Sequence, residues 1–231
     1  MRPAQLHKVV LGTVICLAWA GQASAGDISG AIVYKGGAAA RAKLPVTIDQ
    51  YICGKEKDAE DLVLSDKGGV GNAVVWIENP PNGTEWGKPL PKVEMDQKGC
   101  VFVPRVVVVP VGGTVDFLNS DRLLHNVHSK SKDNATFNRT QPHGRVIPIT
   151  FNKPEIVTIT CDLHSWMRSW VVVAEHPFYA VTDPSGAFRI QNVPPGKYRL
   201  RMWQEALGST SREVAVGAQG ASVTLDIKAP Q

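Results

Sequence analysis

The apolar residues of this chain come in short runs, several of them alternating with polar ones, and no stretch reads as a long amphipathic helix. Ile28, Ile32 and Tyr34 share one face of a first predicted strand, and Ala73 to Ile77 makes another. Val106 to Val109 and Val115 to Leu118 flank the turn Pro110-Val111-Gly112-Gly113. From Ile156 to Cys161 the alternation sets Val157, Ile159 and Cys161 on one side. Val171 to Ala174 is apolar throughout, the pattern of a strand buried on both faces. Runs of this length, cut by Gly, Pro, Asn and Asp, predict an all-β fold of sandwiches or barrels.

The tail after His176 changes character. Asp183-Pro184-Ser185-Gly186 is a turn, Phe188 to Ile190 a strand, and Val193-Pro194-Pro195-Gly196 a second turn. Tyr198, Leu200 and Met202 then alternate with Lys197, Arg199 and Arg201, and Val223, Leu225 and Ile227 repeat the pattern. The D-x-x-G-x-F and P-P-G-x-Y turns resemble those of a carboxypeptidase regulatory-like domain, which implies a small transthyretin-type sandwich. The tail is too short to close one alone, and the strands at Ile28 to Lys35 and Ala73 to Glu78 could complete it. That reading makes residues 26–92 and 176–231 one discontinuous domain around an insert at 93–175. Two consecutive domains are the plainer alternative.

Residues 1–25 carry the marks of a signal peptide. Arg2 and Lys8 precede the apolar run Val9 to Ala20, and Ala23-Ser24-Ala25 offers the small residues of a cleavage site. The run falls short of the ~20 apolar residues of a membrane span, so the expected location is periplasmic or secreted, a retained anchor being the alternative. The formal charge is +4, two units of which sit in that leader as Arg2 and Lys8. No basic cluster remains to imply a nucleic acid or an anionic membrane surface as partner.

Of the four cysteines, Cys16 lies in the leader. Disulfides persist outside the cytoplasm, so an odd remainder needs an explanation. The economical one pairs Cys53 with Cys100 and leaves Cys161 as a thiol held by a metal.

Cys161-Asp162-Leu163-His164-Ser165-Trp166-Met167 sets a thiolate, an imidazole and a thioether on one tight loop. Upstream lies Asn119-Ser120-Asp121-Arg122-Leu123-Leu124-His125-Asn126-Val127-His128. Two imidazoles and a thiolate with a distant methionine form the donor set that selects copper for electron transfer. Soft sulfur suits Cu(I) and imidazole suits both oxidation states, so little need move when an electron arrives. His125 and His128, three positions apart on a strand, point to opposite faces. Met167 has core packing as its alternative role. His143 and His176 read as surface residues.

At these residues the chain resembles the cupredoxins, the blue copper proteins of plastocyanin and amicyanin type. The matching pieces are F-L-N-S-D-x3-H-N-V-H and C-x2-H-x2-M-R before a V-V-V strand. The resemblance implies a Greek-key sandwich holding one copper ion through His125, Cys161, His164 and Met167. It implies an electron carrier, not an enzyme, serving a redox protein partner such as a dehydrogenase or cytochrome through the edge of His164. Leu123, Leu124, Leu163 and Trp166 lie near these ligands in the sequence and could form an apolar docking patch, simple burial being the equal alternative. Blue copper proteins carry Ser or Thr after the ligand cysteine where this chain has Asp162, so the bond between that position and Asn126 is altered. Asn119, Asn126 and Asp162 are the residues expected to support the ligands from behind. A copper-holding or partner-binding envelope module without redox turnover is the second functional reading. Six histidines with no H-x-H pair cannot build the trinuclear cluster of a multicopper oxidase, and hydrolase and phosphate-loop motifs are absent.

Overall fold

A computed structural model describes residues 25–36 and 42–228; of the expected leader, only Ala25 falls within them. The fold is all-β, and the one helix among the described residues is a single turn. The first part of the chain supplies β1 (Gly26–Tyr34), β2 (Lys43–Pro45), α1 (Gln50–Cys53), β3 (Glu56–Asp58) and β4 (Val74–Ile77). The middle supplies β5 (Val93–Gln97), β6 (Phe102–Val103), β7 (Val106–Pro110), β8 (Gly113–Asn119), β9 (His125–Lys130), β10 (Asn138–Gln141), β11 (Ile147–Phe151), β12 (Glu155–Thr160) and β13 (Arg168–Ala174). The tail supplies β14 (Tyr179–Val181), β15 (Ala187–Val193), β16 (Gly196–Gln204), β17 (Gly208–Val216) and β18 (Ala221–Ile227).

The middle strands form two sheets, in the orders β11-β8-β5-β6 and β10-β9-β12-β13-β7. The parallel pairs β5–β8 and β7–β13 show that the chain crosses between sheets, as a Greek-key sandwich does. Alternation fills the space between them: Val115 and Phe117 from one sheet meet Val127, Val157, Ile159 and Val171 from the other, all fully buried.

The strands at the two ends of the chain combine in a second sandwich. One sheet runs β15-β1-β18, with β1 antiparallel to β15 and parallel to β18. The other runs β14-β4-β16-β17. Ile28, Ile32, Val75, Ile77, Ile190, Leu200 and Met202 make its core. Gly30, between two neighbouring strands, has no room for a side chain: a Cβ there would stand 2.0 Å from the Val223 carbonyl oxygen.

The two sandwiches share a face. Val171 and Val173 point into the middle core, while Val172 packs outward with Val106 and Val108 against Val74 of β4. Trp170 and Trp203 meet edge to face, 5.0 Å between centroids. Arg105 closes the seam with a two-pronged bond to Glu205 at 2.8 and 2.9 Å, a geometry stronger than a single contact. Burial on both sides of β13 thus has a physical source: the second sandwich covers what would be the solvent face.

A hairpin departs from this plan. β2 pairs antiparallel with β3, α1 sits at its tip, and it packs on the middle sandwich through Val46 and Cys53. Cys53 is joined to Cys100, and Lys43 pairs with Asp58 across its base at 2.7 Å. The bridge closes a loop of sequence separation 47, which in the chain-entropy picture stabilises by roughly 4 kcal/mol. We therefore expect Cys53→Ser with Cys100→Ser to lower the unfolding midpoint of the middle sandwich by on the order of 10 °C in calorimetry.

Candidate metal centre

Two loops at one end of the middle sandwich carry the donors. The first leaves β8 and enters β9 at His125. Asn119 braces it, its amide Nδ2 donating to the carbonyls of Leu123 and Gln141 and its Oδ1 accepting from the Asp121 N–H. The second runs from β12 to β13 and closes on itself: the Cys161 N–H donates to the Met167 carbonyl, and the Met167 N–H to that of His164. Strand alternation ending at Ile159 carries Cys161 into the interior.

His125, Cys161 and His164 converge, all three buried. The two Nδ1 atoms lie 2.9 Å apart, and the Cys161 sulfur is 3.5 Å from Nδ1 of His164 and 3.9 Å from that of His125. Met167 is buried in the same cluster as Cys161. An ion ~2.0 Å from each nitrogen and ~2.3 Å from sulfur requires donor separations of roughly 3 to 4 Å; both sulfur–nitrogen separations meet this, and the nitrogen pair is slightly closer and would open to admit the ion.

The far edges of both imidazoles are held by carboxylates. Nε2 of His125 lies 3.0 Å from Asp121 Oδ2, and Nε2 of His164 lies 3.1 Å from Asp49 Oδ2. A carboxylate accepts, so the tautomer that satisfies each pair puts the proton on Nε2 and turns Nδ1 inward. The two Nδ1 atoms stand 2.9 Å apart, within hydrogen-bond distance of each other. Carboxylate–histidine pairs of this kind orient metal ligands. Burial pushes the Cys161 thiol above its ordinary range, against the nearby amide donors, and burial also lowers His125. Without a metal the sulfur therefore keeps its proton, and a bound cation would have to displace it.

Asn126 ties the two loops together. Its Oδ1 accepts the Asp162 N–H at 2.7 Å and faces the Cys161 sulfur at 3.2 Å, while its Nδ2 donates to Asp162 and to Asn138. Asp162 thus takes up the bond expected of a hydroxyl, and it also pairs with His128 Nδ1 at 2.9 Å. His128 points away from the three donors, as its spacing predicts.

Three expectations are corrected. Trp166 is not part of an exposed patch: it is buried, its ring 5.1 Å from that of His164 and its Nε1 donating to the Cys100 carbonyl. His164 presents no open edge: it is 0% exposed, covered by Asp49 from the β2–β3 hairpin. His176 is buried rather than on the surface, where desolvation lowers its pKa and its Nδ1 accepts from the Phe178 N–H. Leu124 and Leu163 are the patch residues that stand out, 47% and 44% exposed, whereas Leu123 is half-buried against the core. Asp121 is the aspartate of the first motif, to which no role had been given; Asp49 stands far from both motifs.

Asn126→Ala should weaken metal binding by on the order of 10- to 100-fold in competition titrations, because both ligand loops lose their shared brace.

Comparison with known proteins gives partial likenesses. The matching family model is polysaccharide lyase family 4, domain II, over residues 144–225. No curated protein matches the chain. Among solved structures it is similar to a Cu-containing nitrite reductase from Thermus scotoductus SA-01, with 28% identity over 42% of this chain and 25% of that one, TM-score 0.35. A purple cupredoxin from Nitrosopumilus maritimus matches at 21% identity over 36% of this chain and 100% of that one, TM-score 0.32. Amicyanin from Paracoccus versutus matches at 21% identity over 43% of this chain and 97% of that one, TM-score 0.33. The chain thus spans about a quarter of the nitrite reductase, and each structural likeness covers less than half of the chain.

Proposed function

We propose that this is an exported copper protein of the blue copper type, an electron carrier rather than an enzyme. His125 Nδ1, Cys161 Sγ and His164 Nδ1 would hold one ion, with Met167 as a fourth ligand. The observation that carries this reading is the convergence of two Nδ1 atoms and a buried sulfur, a set of soft and borderline donors suited to copper. Copper, when bound, would supply one-electron chemistry between its two common oxidation states. The protein's own part is to keep the site dry and nearly the same shape for both, which the closed Cys161–Met167 loop and the Asn126 brace support. The Cys53–Cys100 disulfide fits an oxidising compartment outside the cytoplasm. No helix among the described residues is long and apolar enough to cross a membrane.

Leu124 and Leu163, exposed beside the ligand loops, offer an apolar contact for a redox protein such as a dehydrogenase or cytochrome. The pairing of β1 and β4 with tail strands supports reading the strands of 26–92, apart from the β2–β3 hairpin, and 176–231 as one discontinuous unit around the copper unit at 93–175. Its carboxypeptidase regulatory-like type rests on the two turn motifs of the tail alone.

A second reading is favoured by the covered edge of His164: a module that holds copper without redox turnover. Adding Cu(II) to the mature chain should give an intense visible thiolate-to-copper band that Cys161→Ala abolishes; a colourless loaded protein counts against the site. Reversible voltammetry with fast exchange selects the carrier, and irreversible reduction with tight Cu(I) retention selects the holder.

A further inference from the structure

The β2–β3 hairpin brings a charge to the centre that neither ligand loop contains. Asp49 is 115 residues from His164 in the chain, yet its Oδ2 lies 3.1 Å from Nε2 of that ring. Aspartate before a helix ordinarily caps it with its own side chain. Here Asp49 adopts a left-handed backbone, φ 52 and ψ 31, and makes no side-chain bond to α1. Its carboxylate is turned outward instead, onto the imidazole. Cys53, at the end of the same helical turn, is bonded to Cys100. The backbone N–H groups of Gly99 and Cys100 in turn donate to Asp121, at 2.7 and 2.8 Å, and Asp121 holds His125. One disulfide therefore links the segment that carries Asp49 to the segment whose N–H groups hold Asp121.

We propose that Asp49 is a positioning residue for His164: locked in place by the Cys53–Cys100 disulfide, its carboxylate fixes which ring nitrogen faces the sulfur, shuts water from the ring edge, and biases bound copper toward its oxidised form. The last part rests on the copper reading above; the first two do not. A carboxylate on the remote nitrogen raises the basicity of a metal-ligating imidazole, and the more basic ligand favours the more highly charged ion. Asn tolerates the left-handed backbone as Asp does, so Asp49→Asn removes the charge with the main chain intact, while Asp49→Ala removes the acceptor altogether.

The experiment has two arms on the full mature chain. In the metal-free protein, ¹⁵N spectra of the His164 ring should show a proton on Nε2 protected from exchange. That protection should be lost in Asp49→Ala and in Cys53→Ser with Cys100→Ser, and kept in Asp49→Asn. In the copper-loaded protein, both Asp49 variants should favour Cu(I) over Cu(II) about tenfold more than the parent does, a rise of roughly 59 mV for one electron. An unchanged ring spectrum and an unchanged potential in Asp49→Ala would overturn the proposal. If the parent chain takes up no copper, the functional reading fails separately, and the ring spectrum still decides for or against Asp49.

Discussion

The centre depends on two carboxylate–imidazole pairs. Asp49 and Asp121 each hold the outer nitrogen of a buried imidazole, which turns the inner nitrogens toward each other and a sulfur at close range. The surrounding bonds keep that arrangement in place. Asn119 holds the loop before His125, the Cys161–Met167 turn folds back on its own carbonyls, and Asn126 joins one loop to the other. Buried polar groups are tolerable only when each has its partner. Here the outer edges meet carboxylates and the inner edges meet each other and the sulfur.

Cys100 is the hub through which the arrangement is transmitted. Its sulfur holds the hairpin that bears Asp49, its N–H donates to Asp121, and its carbonyl accepts from Trp166, which lies on the His164 ring. Sheet pairing supplies the frame for this network but not its details: β9 delivers His125, and the β12–β13 connection delivers the other donors.

Much of this was legible from local pattern. Alternation along β12, β16 and β18 marked the buried faces, and the continuous apolar run of β13 announced a strand covered twice. Cys161, His164 and Met167 stood together because a seven-residue loop keeps its donors adjacent in the chain. Strand geometry set His125 and His128 on opposite faces, and the blue copper resemblance singled out His125. What escaped reading shares one cause, dependence on segments distant in the chain. Asp49 had no marker because its role exists only once the disulfide folds the hairpin over the loop. Trp166 and His176 were misplaced because solvent exposure follows from what packs above a residue: for Trp166 the region around Cys100, for His176 the seam beside Phe178.

The order of strands in the end-to-end sandwich has a consequence for how the chain is made. β1 and β4 are synthesised well before the strands at 187–193, 196–204 and 221–227 with which they pair. Until those arrive, their edges are open and their apolar faces uncovered, the condition in which strands recruit wrong partners. The nine strands between Val93 and Ala174 need no later segment for their own sheet pairing and can collapse while the rest is still emerging. The early-folding unit thus has to form with two unpaired ribbons waiting beside it, so any helper that binds the nascent chain has most to protect in β1 and β4.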